Sequence, residues 1–409
     1  MSYELDAEGT QRLNEYLSRI ARVLRHKKKT EAFAYYTIGL MSNLERKSVE
    51  PIAAYIEPDP QKTDAMHQKL LHFQGEAVWD DREVRLSAAR YAIDAMEKHE
   101  PVIAWILDDT GFLKQGKHSV GVKRQYTGSA GKITNCQVGV SLSVSTPTAH
   151  VPIDFELYLP EEWAKDPELR RMAKIPDDVM FMTKPELALE MITRASHAGI
   201  PGKVILADCA YGDSVEFRDT VRLIGFDYGL GVSCTTKVVR VDDQGRPHGD
   251  AVSAQDFADG LPESAFERIT WREGTSKALG ARFVFQRVRV CREGPDAEVQ
   301  WLVIEWRDGE KGPEHFTLTT LGMNGEMSKQ EIVSLFKERY RTEQAYEELK
   351  GELGLDHFEG RSFRGWHHHV TVVLCCYAFV VAERALHRLP SLCRQAVWED
   401  HTQSLRLAA

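Results

Sequence analysis

What this sequence lacks narrows it first. Its seven cysteines (Cys136, Cys209, Cys234, Cys291, Cys375, Cys376 and Cys393) form no C-x-x-C pair and no regular framework. An odd, irregular set argues against a disulfide scaffold and suits a reducing cytoplasm. No basic start is followed by an apolar stretch, so no signal peptide is expected. The longest apolar run, Val370 to Ala382, spans 13 residues and includes Thr371. That is too short to span a bilayer, so a buried helix and no membrane association are expected. Low-complexity tracts are missing too. Positive charge is scarce: 52 Lys and Arg against 61 Asp and Glu give a net charge of −9. This excludes a protein that coats nucleic acid indiscriminately, but not a local basic surface.

What is present is a chain of 409 residues, 43% apolar, long enough to bury at least one large core. Residues 1–100 read as helical: Leu13, Leu17, Ile20 and Leu24 recur at helical spacing, and Leu5 joins them. Strand-like runs at 102–107, 136–144 and 151–159 flank the glycine-rich stretch Gly128 to Gly131 and suggest an antiparallel meander. Helical patterns at 161–173 and 184–198 lead to a strand at 203–207, a helix from Ser214 to Leu223 and a strand from Tyr228 to Thr235. That order implies an α/β layer with mixed pairing. Residues 236–325 read as a mostly β insertion, with strands at 281–285, 288–290, 299–306 and 315–321. Ser328 with Glu331 then forms a capping-box signature for a helix to about Leu353. An apolar helix follows at about 366–387, and residues 390–409 form a tail.

Three carboxylates stand where different elements would present them. Asp108 ends the apolar run from Val102, Asp208 ends the run from Val204, and Glu343 lies in the late helix. Brought together, three such acids can hold two Mg²⁺ ions and support phosphoryl transfer on DNA. Alternation along the strand sends Asp109 to the face opposite Asp108. Spacing alone leaves other readings open, since strand-end aspartates also serve turns and helix caps. Arg339 and Glu343, four apart, also suit a plain helix salt bridge.

Two basic clusters are evident. Arg19, Arg22, Arg25, Lys27, Lys28 and Lys29 crowd eleven residues. Arg268, Arg272, Lys277, Arg282, Arg287, Arg289 and Arg292 stand against one acid, Glu273. Either cluster also reads as a solvated face. The first is the candidate for DNA-end recognition. Lys114, Lys117, Lys123 and Arg124 follow the first carboxylate and either meet phosphates or serve as turn charges. Trp271 beside Arg272 is a candidate DNA contact, whereas Trp301 and Trp306 read as strand core. The consecutive His367, His368 and His369 cannot face one ion together, and Cys375-Cys376 reads as core.

The ordered blocks resemble a DDE transposase of the IS701 family, within the wider IS4-like group. Asp108-Asp109-Thr110-Gly111-Phe112, Lys114, Gly116 to Val122, Arg124-Gln125-Tyr126 and Asn135 to Val138 resemble its first-carboxylate block. Ala207 to Gly212 resembles the second. Phe336, Arg339, Glu343 and Lys350 resemble the third, with Phe336 where the group usually carries Tyr; Glu352 to Ser362 and Trp366-His367 continue the match.

The resemblance implies an α/β fold: an RNase H-like mixed-sheet core over 101–235 and 326–389. An all-helical N-terminal DNA-binding domain over 1–100 and the β insertion between the second and third carboxylates complete it. It implies Asp108, Asp208 and Glu343 as catalytic and metal-binding residues, with two Mg²⁺ ions per site and Mn²⁺ as a substitute. Arg339 and Lys350 are implied at the phosphate backbone. Cut-and-paste transposition of an insertion sequence is the implied activity. The implied partners are double-stranded transposon ends and target DNA, bound by a homodimer, and the implied location is the cytoplasm at the nucleoid. Related enzymes pass through a hairpin that needs an aromatic to hold a flipped base, a role open to Trp271. A DNA endonuclease of the same fold without strand transfer and a domesticated DNA-binding regulator are the alternatives. A small-phosphoester hydrolase is disfavoured by the large insertion.

Overall fold

The computed structural model describes residues 7–272, 279–291 and 298–387. Glu273, Lys277, Arg292, Leu5 and the tail 390–409 lie outside the described residues. Five helices come first: α1 (Ala7–Leu24), α2 (Lys27–Met41), α3 (Val49–Ile56), α4 (Pro60–Gly75) and α5 (Asp81–Met96). Local chemistry sets their starts. Asp59 caps α4 through the Gln61 N–H with Pro60 in the first turn, and Asp80 caps α5 through the Glu83 N–H. The basic cluster from Arg19 to Lys29 spans the junction of two helices. Arg25 takes a left-handed turn (φ 51°), so the six cations spread over one helix end, a corner and the next helix start.

The sheet then begins with β1 (Ala104–Leu113), β2 (Lys123–Thr127), β3 (Lys132–Ser145) and β4 (His150–Tyr158). Sequence reading missed β2, whose Lys-Arg-Gln-Tyr-Thr run has no apolar alternation. The helices α6 (Glu161–Lys165), α7 (Pro167–Ala173) and α8 (Lys184–His197) follow. Next come β5 (Val204–Ala207), α9 (Cys209–Gly212), α10 (Val215–Leu223) and β6 (Asp227–Val232). β1 pairs antiparallel with β3 and parallel with β5, which pairs parallel with β6, the mixed pairing of an RNase H-like α/β core.

The insertion contributes β7 (Lys237–Val241), β8 (Pro247–Ser253), α11 (Ala254–Asp259), β9 (Glu267–Arg272), β10 (Leu279–Val290), β11 (Gln300–Trp306) and β12 (His315–Thr319). The two strands expected at 281–290 are the single strand β10. The insertion's strands extend the core sheet: the order runs β2-β3-β1-β5-β6-β12-β11-β10-β7-β8, with β4 on β3 and β9 on β10. β12 lies antiparallel to β6, so one sheet carries the second carboxylate and the insertion.

The helix expected from 328 to 353 is instead α12 (Lys329–Lys337) and α13 (Tyr340–Gly351). The Ser328/Glu331 capping box starts α12. The break has a visible cause. Around Glu338 and Arg339 the backbone bonds tighten to three-residue spacing, while the Glu338 carboxylate is drawn to Ser145 Oγ (2.9 Å) and Arg341 (2.6 Å). α14 (Phe363–His387) is long and apolar enough to cross a membrane by length and composition. In this fold most of it is buried, packed on α5, α2, α4 and β4. Cys375 and Cys376 lie in that buried helix.

Candidate catalytic site

Asp108 lies opposite Ser141 of β3. On its other side β5 runs parallel, with Ile106 beside Leu206. Asp208 follows directly on the end of β5 and lies close enough for its charge to act on the Asp108 carboxyl. Asp208 turns the chain into α9, its Oδ1 accepting the Ala210 N–H at 2.9 Å. Two glycines of β6 make room. A Cβ on Gly231 would come within 3.1 Å of Cys209 N, and one on Gly229 within 2.3 Å of the Phe336 ring. The Phe336 ring is therefore seated on β6 by the absence of a side chain.

Glu343 is exposed on α13 and, with Asp208, Arg339 and Tyr340, lines a cleft of about 750 Å³ that does not include Asp108. Burial pushes the Asp108 carboxyl up to about 7; Asp208 and Asp109 add to the shift, against Arg339 and the Asp109 N–H (2.8 Å). The α13 helix is fixed over β1 and β3 through two of its side chains, Tyr346 and Lys350. Tyr346 Oη meets Ser141 Oγ at 2.5 Å. Lys350 Nζ donates to Thr110 Oγ1 (2.8 Å) and the Gly111 carbonyl (2.9 Å). Asp109 points to the other face, where Lys184 holds it at 2.7 Å.

Among the described residues no three His, Cys, Asp or Glu side chains gather tightly enough to hold a metal ion. The donor chemistry still fits Mg²⁺, which is commonly taken by one or two carboxylates with water and substrate phosphates completing the shell. Asp108 and Asp208 offer such a pair, and the upward shift of Asp108, set first by desolvation, is only partly offset by Arg339. Arg339 reaches the same place: its charge acts on Asp108, and its Nε is buried with no hydrogen-bond partner.

The structure separates the remaining candidates. Arg22, Arg25, Lys27 and Lys28 are exposed; Arg25 lies 3.9 Å from Glu83 and Lys27 3.8 Å from Glu31. Arg19 lies 3.6 Å from Asp94, and Lys29 Nζ donates to the Val78 carbonyl (2.5 Å). Lys114 is half-buried and donates to the Phe358 carbonyl (2.7 Å), whereas Lys117 is exposed. Lys123 pairs with Glu162 at 3.1 Å, and Arg124 is exposed beside it. Trp271 is half-buried edge-on to Phe283, with Lys337 Nζ 4.5 Å over its ring; Arg272 is exposed and its charge acts on Glu338. Trp301 packs edge-on to Phe285, and Trp306 lies under Arg282. His367, His368 and His369 bond in three directions, to Glu156, the Gln74 carbonyl and Tyr36. Sequence reading missed Tyr340, 57% exposed at the cleft; its only signal is its place between Arg339 and Glu343.

Comparisons with known proteins add three findings. The model of the family described as DDE superfamily endonuclease matches residues 19–278, and that of the transposase DDE domain matches residues 183–379. A probable transposase for insertion sequence element IS701 from Microchaete diplosiphon is 26% identical over 340 residues, covering 80% of this chain and 76% of that protein. The piggyBac transposase in its synaptic complex with hairpin DNA superposes with a TM-score of 0.43 at 10% identity, over 96% of this chain and 76% of the other. That last likeness is too loose to carry an argument.

Proposed function

The chain belongs to the DDE superfamily of endonucleases, enzymes acting on DNA, and from that premise we propose that it cuts an insertion sequence out of duplex DNA and joins the freed 3′ ends to a target. One observation supports the reading most: β1 and β5 run parallel toward Asp108 and Asp208, whose charges interact, and Glu343 shares the cleft wall with Asp208. Asp108, Asp208 and Glu343 are the residues that would hold Mg²⁺, with Mn²⁺ as a substitute. When bound, two such ions supply an activated water or 3′-OH and stabilise the leaving oxygen. The chain's own residues do the positioning. Asp108 is deprotonated as positive charge arrives. Arg339, with its buried and unpaired Nε, orients a phosphate beside it. Lys350 fixes the strand that carries Asp108.

Two ends must meet in one reaction, so the working form is a homodimer on DNA, and the nucleoid is where it acts. The exposed Arg22, Arg25, Lys27 and Lys28 at the α1–α2 corner are the end-binding surface; their release of counterions makes binding weaken steeply with salt.

The test uses duplexes from the DNA flanking the coding sequence, mixed with protein and Mg²⁺, Mn²⁺ or Ca²⁺. Nicks at the element ends followed by joined products, with Mg²⁺ or Mn²⁺ but not Ca²⁺, are expected. Cleavage without joining would make the protein an endonuclease of the same fold. Binding without cleavage under every metal would make it a regulator and end the reading.

A further inference from the structure

The hairpin of β2 and β3 carries two large apolar side chains in water. Tyr126 is 64% exposed and Ile133 61% exposed, and they are direct cross-strand partners. Exposed apolar pairs of this size on a strand edge call for an occupant. The hairpin's orientation follows from alternation. Thr127 is buried and faces inward: a Cβ on Gly111 would meet its Oγ1 at 2.0 Å. Arg124, Tyr126 and Ile133 consequently point outward, and all three are exposed.

The tip of this hairpin is anchored close to the candidate site. In the turn, Ser129 Oγ accepts the Gly111 N–H (3.2 Å) and meets Thr110 Oγ1 (3.1 Å) and Lys350 Nζ (3.2 Å). Thr110 is two residues past Asp108 on the same strand. The outward face is thus carried on a bracket fixed to the strand that presents the first carboxylate.

Charge identifies the occupant. In a chain of net charge −9, no Asp or Glu occurs between Asp109 and Asp154, while Lys114, Lys117, Lys123, Arg124 and Lys132 all do. Lys117, Arg124 and Lys132 are exposed. An acid-free cationic segment beside an apolar pair fits a polyanion with stackable rings, not a neutral protein surface.

We propose that the β2–β3 hairpin is a wedge that enters a DNA base step beside the scissile phosphate, with Tyr126 and Ile133 unstacking the step and Arg124, on the same face, holding a flanking phosphate. Apolar side chains driven between base steps are an established way for proteins to kink and open a duplex, and base–aromatic stacking adds to the affinity. The inference rests on the reading of DNA as substrate and adds a role the three carboxylates do not supply: separating the strand to be cut from its complement.

The experiment places 2-aminopurine at successive positions around the cut in flank-derived duplexes, with Ca²⁺ to hold the uncleaved complex. The wild-type protein should raise the fluorescence at one or two adjacent positions. Tyr126→Ala with Ile133→Ala should abolish the rise and slow cleavage of the intact duplex at least tenfold, while Tyr126→Phe keeps both. On the same DNA with a mismatch at that step, the double variant should cleave within twofold of wild type. A wild-type protein that cleaves with no fluorescence change overturns the wedge. So does a double variant equally impaired on mismatched DNA, or one whose only defect is a lost oligomer in sedimentation. A wild-type protein that cleaves no DNA defeats the functional reading itself, and the wedge with it.

Discussion

Two sets of acids are treated in opposite ways: Asp108 with Asp208, and Asp81 with Asp154 and Glu156. Asp81, Asp154 and Glu156 meet where α5, α8 and α14 pack on β4. Arg85, almost fully buried, reaches all three at 2.6, 3.0 and 3.3 Å. Arg194 meets Asp154 and Glu156 at 2.7 and 2.9 Å, Arg82 meets Glu156 at 3.0 Å, and His367 meets it at 3.2 Å. Despite full burial, His367, Arg85 and Arg194 hold the Glu156 carboxyl well below the usual range. Asp108 is only half-buried, yet desolvation pushes its carboxyl up to about 7 because Arg339 alone opposes it among the charged side chains. The lesson is that saturated acids are scaffold, while acids left short of positive charge mark a place where a cation is to arrive.

The largest expected contrast is catalytic. Asp108→Asn and Asp208→Asn should each lower DNA cleavage by roughly a thousandfold or more, with no loss of melting temperature, read by gel assay and calorimetry. The reverse pattern is expected from Glu156→Gln. It leaves buried guanidinium groups undercompensated and should cost about 3–5 kcal/mol of stability, measured by urea unfolding, with cleavage per folded molecule unchanged. If Glu156→Gln instead abolished cleavage in a fully folded protein, the division between the two groups would be wrong.

Much of this contrast was legible in the sequence at the level of elements. The apolar runs ending at Asp108 and Asp208 announced β1 and β5, and the Ser328/Glu331 pair announced α12. Local patterns carry such information because alternation and capping are short-range. What stayed hidden depends on partners far along the chain. That the insertion strands continue the core sheet is decided by β12 meeting β6. The break before α13 is decided by Ser145 holding Glu338. Nothing in its own neighbourhood distinguishes Glu156 from Glu343; Arg85, 71 residues away, does. Asp208 was legible at a strand end, whereas Asp108, expected at the end of a strand, lies in the middle of β1, because the pairing with β3 continues to Leu113.

A pH series sharpens the scaffold side. Burial pushes His368 and His369 down to about 4, against about 6.5 in an unfolded chain. The unfolded state takes up these protons first, so their contribution is intact above pH 6.5 and is lost as pH falls toward 4. The loss should reach roughly 3 kcal/mol for each ring. Replacing His369 with Gln should flatten that slope, as seen in melting temperatures between pH 7 and 4.

The smallest effect concerns the acid next to the first carboxylate. Asp109 pairs with Lys184 on the opposite face. Lys184→Met should cost about 1 kcal/mol or less and leave cleavage within a few-fold of wild type. A thousandfold loss there would mean that Asp109, not Asp108, faces the metal.

The most direct measurement is anomalous diffraction from crystals soaked in Mn²⁺. A peak at about 2.1 Å from carboxylate oxygens of both Asp108 and Asp208, on the side of the cleft that Glu343 lines, is the expected result. Manganese bound at Asp109 or at the Asp81–Asp154–Glu156 group, with none between Asp108 and Asp208, would contradict it.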